Sequence, residues 1–170
     1  MASKGVELLI EAVTKTKNKN YIVDLYGTGD LHEYCQKLIE KHDLSDIIFL
    51  RGFIENKRVL EHYKNSDVLL QPSLKEPAGI ALLEAMSVEL PVICIDSGGP
   101  SYVVTKECGI KIPLENRKTI IKKIAHAIDW MIEHPNERKL MGKQSRLRVK
   151  NHFSWDIVIP KVLEVYKEIT

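Results

Sequence analysis

The run LPVICID at residues 90–96 is apolar at every position but its last. A strand with one face in water alternates apolar and polar residues; a strand like this one must be covered on both faces. That is the condition of a parallel sheet wrapped by helices. The flanking sequence supplies the wrapping. VELLIEAV at 6–13 is apolar at helical spacing, and YIVDLYG at 21–27 is a short β-rich run closed by glycine. A helix with Leu31, Tyr34, Cys35, Leu38 and Ile39 on one face follows, with Asp30 and Glu33 spaced as a capping box. Strand IIFLRG (47–52), helix VLEHYKNS (59–66) and strand DVLLQPS (67–73), stopped by Pro72, continue the alternation. The helix in GIALLEAMS leads into 90–96, SGGPS turns the chain, and CGIKIP (108–113) is the last expected strand.

Three helices then follow without a strand. The first carries Ile120, Ile121, Ile124, Ile128, Met131 and Ile132 at core spacing, and the second covers about 136–150. The third starts near FSWD, with Ser154 as its expected cap, and is expected to bend or break at Pro160. The fold expected is α/β, a doubly wound parallel sheet in α/β/α layers with C-terminal helices, forming one domain over residues 1–170.

Composition narrows the function. A net charge of +2 in 170 residues gives no reason to expect nucleic acid as a partner. No apolar run approaches a membrane span, and MASKGVELL lacks the anatomy of a signal peptide. Cys35, Cys94 and Cys108 form no CxxC pair and read as reduced, buried thiols of a cytoplasmic protein. The six histidines are scattered, without ligand spacing, and no metal site or cofactor is expected. SRLRVK at 145–150 reads as a solvated helix end. The apolar side of IVIPKVLEVY either packs on the sheet or leaves an exposed patch.

Ligands of doubly wound sheets lie at the carboxyl ends of the strands, over the loops that open helices. YGTGD, RGFIE, PSLKEPAG and DSGGPS occupy those places. In EPAGIALLEAM, a helix opens near Gly79, and its first amides point outward at the positive end of the helix dipole, a seat for phosphate. Glu76 precedes that helix and Glu84 lies about 7–8 Å along it from Gly79. Carboxylates only accept hydrogen bonds, so the hydroxyl groups of a sugar and a ribose are natural partners. As a plain structural residue, Glu76 would be a favourable charge at a helix start. For Glu84 a solvated position is not expected, because Leu82, Leu83, Ala85 and Met86 surround it in sequence.

Glu76 and Glu84, with seven residues between them in PSLKEPAGIALLEAM…PVI, resemble the E-x7-E signature of retaining GT-B glycosyltransferases of family 4, group 1. KGVELLIEA, LYGTGD, IFLRGF, SDVLLQPS, DSGGP and FSW agree in order and spacing. The resemblance covers nearly the whole chain, but only the Rossmann-like donor-binding half of such an enzyme; the N-terminal acceptor domain would be a partner outside it. It implies a donor substrate that is a nucleoside-diphosphate sugar of the UDP- or GDP-hexose class. It gives Glu76 to the transferred sugar, Glu84 to the ribose, and Lys4 to the diphosphate. Backbone at Gly79, Ile80 and Ala81 would receive the distal phosphate. Phe53 and Ile54 would border the base, and Gly27 and Gly29 would give the diphosphate clearance. The chain alone is then expected to bind nucleotide and transfer little, and its parent to be cytoplasmic or peripheral to a membrane. A stand-alone binding subunit completed by a partner chain, or an epimerase of similar architecture, are the competing readings. Departures from the pattern are Ala78 for a usual phenylalanine, Glu89 for a helix-ending glycine, and Tyr102 for an acidic residue after the GGP turn. The arginine that commonly partners the lysine would lie upstream of Lys4.

Overall fold

The computed structural model describes residues 4–169. In chain order these form α1 (Val6–Val13), β1 (Val23–Tyr26), α2 (His32–Lys41), β2 (Ile48–Gly52), α3 (Asn56–Lys64), β3 (Leu69–Gln71), α4 (Ile80–Ser87), β4 (Val92–Asp96), α5 (Gly99–Val103), β5 (Gly109–Pro113), α6 (Arg117–Glu133), α7 (Pro135–His152) and α8 (Trp155–Ile169). Every strand pairing is parallel, as the apolar runs require. The hydrogen bonding divides into two ladders, β1–β2 and β3–β4–β5, rather than one continuous sheet.

Strand β4 shows why the run at 90–96 had to be apolar throughout. Ile93 and Ile95 point into one core, with Leu8 and Ile10 of α1, Ile39 of α2, and Ile124 and Met131 of α6. Val92 and Cys94 point to the other, with Leu82, Ala85 and Met86 of α4 and Val103 of α5. Helices thus cover both faces, and the α/β/α layering is as expected. All three cysteines are free and buried. Burial, with the neighbouring charge of Asp96, pushes the Cys94 thiol up to about 12, which leaves it protonated and unreactive. Among the described residues no helix is long and apolar enough to cross a membrane.

Some local expectations change. SGGPS is not only a turn: Gly99 opens the short helix α5, where Pro100 occupies a first-turn position that needs no amide. Asp30 and Glu33 make no capping box, because α2 begins one residue later with Leu31 at the cap position and no side-chain bond. The Ser154 hydroxyl turns back and donates to the Lys150 carbonyl (2.9 Å), so it does not cap α8. Pro160 lies inside α8 without ending it; just past the first turn, it removes a single intrahelical bond. In SRLRVK, Arg148 closes the end of α5 through the carbonyls of Val103 (2.6 Å) and Tyr102 (2.7 Å). The apolar side of α8 stays open, with Trp155, Ile159 and Leu163 exposed.

Glu89, the residue after the C-cap Val88 of α4, has φ of 65°, a left-handed conformation that a side chain disfavours. Its carboxylate pairs with Arg146 at 3.1 Å, on the surface, where such a pair contributes little. Glu89→Gly is therefore expected to raise the unfolding free energy by about 1 kcal/mol. Urea unfolding checks this, and a loss of stability would show that the ion pair outweighs the strain.

Candidate functional site

The carboxyl ends of β3 and β4 and the start of α1 converge on the N-terminus of α4. Gly79 caps that helix in a left-handed conformation (φ 77°, ψ 33°), which glycine adopts without strain. The carbonyl of Gly79 accepts from Leu82 and Leu83, so the amides of Ile80 and Ala81, the first two inside the helix, are left over as donors. Ile80 itself is exposed.

Glu76 sits over this tip. Its Oε2 accepts from Lys4 Nζ and from Gln71 Nε2, each at 3.1 Å, and its Oε1 accepts from the Gly79 amide at 3.3 Å. The carboxylate is only 13% exposed, whereas the Lys4 side chain is 66% exposed and keeps ammonium hydrogens free toward solvent. Burial pushes the Glu76 carboxyl upward. The Lys4 hydrogen bond, the Gly79 amide, the Lys4 charge and the Ala78 amide outweigh it and hold the group below its usual range. The lowered value means that ionised Glu76 stabilises the fold above its unfolded pKa of about 4.3, and that this contribution is lost as pH falls through the folded pKa. An NMR titration following the Glu76 carboxyl should thus show a midpoint below that of an ordinary glutamate. In Glu76→Gln, the acid limb of the stability profile should flatten; a midpoint above the unfolded value would refute the arrangement.

Three main-chain approaches fix the loop that carries Glu76. The Gly99 amide donates to the Glu76 carbonyl at 2.9 Å. A Cβ on Gly98 would stand 2.4 Å from the Glu76 carbonyl oxygen, and one on Gly99 would stand 2.4 Å from the Ala78 carbonyl carbon. At the far side, a Cβ on Gly5 would stand 2.2 Å from the Pro72 oxygen, so only glycine lets α1 start here and deliver Lys4. The GGP turn, read from the sequence as a ligand loop, is thus the buttress of the Glu76 loop. Gln71 was missed. A polar residue ending an apolar strand carries no pattern of its own, and its only signal was its place at the carboxyl end of β3.

Glu84 is corrected. It is exposed, on the same face of α4 as Ile80, while Leu82, Ala85 and Met86 are the buried face. Ala81 and Leu83 are only half-buried, so the apolar neighbours do not enclose it. Its charge reaches Tyr63 of α3: burial first, then Glu84, raises the tyrosine hydroxyl. The next residue back, His62, faces a separate groove of about 610 Å³ with Tyr26, Arg51, Phe53, Ile54 and Arg58. Tyr26 and His62 are hydrogen-bonded at 2.9 Å and tilted against each other, and Phe53 is 76% exposed at the rim. Gly27 (φ 140°) and Gly29 face open space, with nothing within 4 Å of an added Cβ. The structure therefore gathers Lys4, Glu76, Gly79, Ile80 and Ala81 at one tip and sets Phe53 and Ile54 in the groove. Helix α3 borders both the groove and Glu84. Among the described residues no group of three His, Cys, Asp or Glu is placed to hold a metal ion.

Comparison with known proteins follows this geometry. Residues 2–148 match the model of the family described as glycosyl transferases group 1. An uncharacterized glycosyltransferase of Methanocaldococcus jannaschii is 29% identical over 96% of this chain and 42% of its own length. The trehalose synthase of Thermococcus litoralis is 30% identical, over 98% of this chain and 40% of its own. In fold, the chain is similar to a Rickettsia africae glycosyltransferase (TM-score 0.84, 25% identity, 99% of this chain and 45% of that one). It is similar also to Anabaena HepE, solved with UDP and glucose (TM-score 0.85, 20% identity, 98% and 45%). The chain spans less than half the length of these proteins.

Proposed function

Because the chain belongs to the glycosyl transferases group 1 family, we propose that it is the donor-binding half of a retaining cytoplasmic enzyme that moves a hexose from a nucleoside diphosphate to a glycan, lipid or protein acceptor. The observation that carries this reading is the α4 tip, with two helix amides that have no partner among the described residues beside a lysine and a glutamate already in register. The distal phosphate sits on the amides of Ile80 and Ala81, where the helix dipole favours negative charge. Lys4 spans to the diphosphate while remaining bonded to Glu76. Lys4, Gln71 and the Gly79 amide already take most of the acceptor positions of Glu76, so a sugar hydroxyl donates to it by displacing the longest of these contacts, the one from Gly79 at 3.3 Å. Glu84 takes the ribose hydroxyls, and the base reaches toward Phe53 and Ile54 past α3.

As the bond from sugar to diphosphate breaks, negative charge grows on the leaving oxygen. Fixed amides and Lys4 meet that charge without rearranging, which lowers the barrier more than the binding of the intact donor does. The acceptor is held by a separate N-terminal domain across the cleft, so this chain alone binds nucleotide and transfers little. That relatives are more than twice as long supports this division.

Calorimetric titration with UDP, GDP and ADP sugars identifies the base. Glu84→Ala should weaken binding of the matching nucleotide by roughly tenfold, about 1.5 kcal/mol, the low end for hydrogen bonding to a charged group at an exposed position. Because Glu84 is exposed, the fold should be unchanged. Equal affinity for the variant would remove the ribose role.

A further inference from the structure

Charge is spread unevenly over the chain. Helix α7 holds six cationic side chains and one acidic one, Glu137, so it carries +5; the whole chain carries +2, which leaves −3 for everything outside α7. The inner face of α7 is closely seated. A Cβ on Gly142 would stand 2.1 Å from the Glu89 oxygen, and the buried Ser145 hydroxyl donates to the Cys108 carbonyl at 2.9 Å. The three arginines are used within the chain. Arg138 bonds Asp67 at 2.8 Å, Arg146 bonds Glu89 at 3.1 Å, and Arg148 holds the carbonyls of Tyr102 and Val103. Lys139, Lys143 and Lys150 are exposed instead, with no hydrogen-bond or ion-pair partner among the described residues.

These lysines share one face. At about 100° per residue, Arg146, Lys139, Lys150, Lys143, Leu147 and Leu140 follow one another round about 120° of the helix, with no acidic residue in the arc. The lysines extend over about 17 Å of its length. Leu140 and Leu147, two turns apart, are 58% and 50% exposed. The combination selects the partner. A polyanion held through its phosphates alone has no use for leucine, and one that presents its bases stacks them on aromatic rings, of which the arc has none. A lipid surface uses both residue types: lysine stems lie along apolar surface and carry their ammonium groups to anionic head groups, and leucines meet the acyl boundary.

We infer that the outer face of α7 docks on the surface of an anionic lipid bilayer, with Lys139, Lys143 and Lys150 on the head-group phosphates and Leu140 and Leu147 against the acyl boundary beside them. Charge supplies most of the attraction, and the two leucines distinguish a bilayer from a soluble polyanion. The inference stands apart from the nucleotide reading. Gly142 lies against Glu89 and Pro91, and Ser145 against Cys108, all at the amino ends of β4 and β5, whereas the α4 tip belongs to the carboxyl ends. A docked chain therefore keeps that tip clear of the lipid.

The test sediments the 170-residue chain with vesicles of phosphatidylcholine alone and of phosphatidylcholine mixed with phosphatidylglycerol, at low and at high salt. Binding is expected to the mixed vesicles only, and to weaken as salt rises. Combined Lys139→Gln, Lys143→Gln and Lys150→Gln should weaken it roughly a hundredfold, at about fivefold per charge. Leu140→Ser with Leu147→Ser should weaken it roughly tenfold. Lys37→Gln, Lys41→Gln and Lys64→Gln remove the same charge from exposed positions of α2 and α3 and should cost no more than a few-fold. The lipid and salt arms use the unaltered chain, so they decide whatever the variants do to folding. Four outcomes overturn the inference. The first is binding to neither kind of vesicle. The second is equal binding to uncharged vesicles, which would assign the contact to the exposed apolar side of α8. The third is equal loss in the two lysine variants, which would make it an effect of net charge. The fourth is equally tight binding of polyglutamate or single-stranded RNA through the same lysines, which would assign the face to a soluble polyanion.

Discussion

Gly99→Ala is expected to abolish nucleotide binding and to destabilise the chain by about 1–3 kcal/mol or more. The new Cβ would stand 2.4 Å from the backbone carbon of Ala78 and 2.5 Å from its oxygen. Main chain cannot rotate away as a side-chain tip can, so α5 and the Glu76 loop must separate. Separation breaks the Gly99 amide bond to the Glu76 carbonyl and shifts the carboxylate from the α4 tip. Chemical denaturation measures the first effect and calorimetry the second. Near-normal binding in the alanine variant would mean that the loop is not held by this contact.

The second large effect separates binding from folding. Lys4→Ala should weaken binding of a nucleoside diphosphate by roughly tenfold to a hundredfold, the loss of a charge-assisted hydrogen bond of about 1.5–3 kcal/mol. Unfolding free energy should change by less than about 1 kcal/mol, because the Lys4 side chain is mostly in solvent and exposed pairs contribute little. Lys4→Arg keeps the charge and should recover part of the affinity. A variant that loses stability and affinity together would make Lys4 a strut for Glu76 instead of a phosphate ligand.

Much of this was legible in the residues because it follows from local chemistry. The run at 90–96 announces two-sided burial, and Ile93 and Cys94 do go to opposite cores. The candidate residues Lys4, Glu76 and Gly79 come from the resemblance and from the logic of a helix start, and they lie together at the α4 tip. What escaped depends on contacts distant in sequence. Gly98 and Gly99 show as glycines, but not that the backbone they approach belongs to Glu76 and Ala78. Gln71 gains its meaning only when the loop folds back to place Glu76 five positions later over it. The exposure of Glu84 is not legible in its apolar flanking residues, because neighbours in sequence are not neighbours in space. At 100° per residue, Ile80 and Glu84 share the open face while Leu82, Ala85 and Met86 turn inward. The split sheet was invisible for a similar reason: each strand reads correctly alone, and pairing is settled only by what lies alongside.

The loops around Glu76 meet through Gly5, Gly98 and Gly99, with no side chain interposed. Such a joint has a single solution, whereas the rim formed by Tyr26, Phe53, Arg58 and His62 is built from exchangeable side chains. On the proposed donor reading, redesign has separable territory: substitutions along the rim would retune which heterocycle is accepted, while the proposed phosphate seat, formed by main chain, would stay as it is.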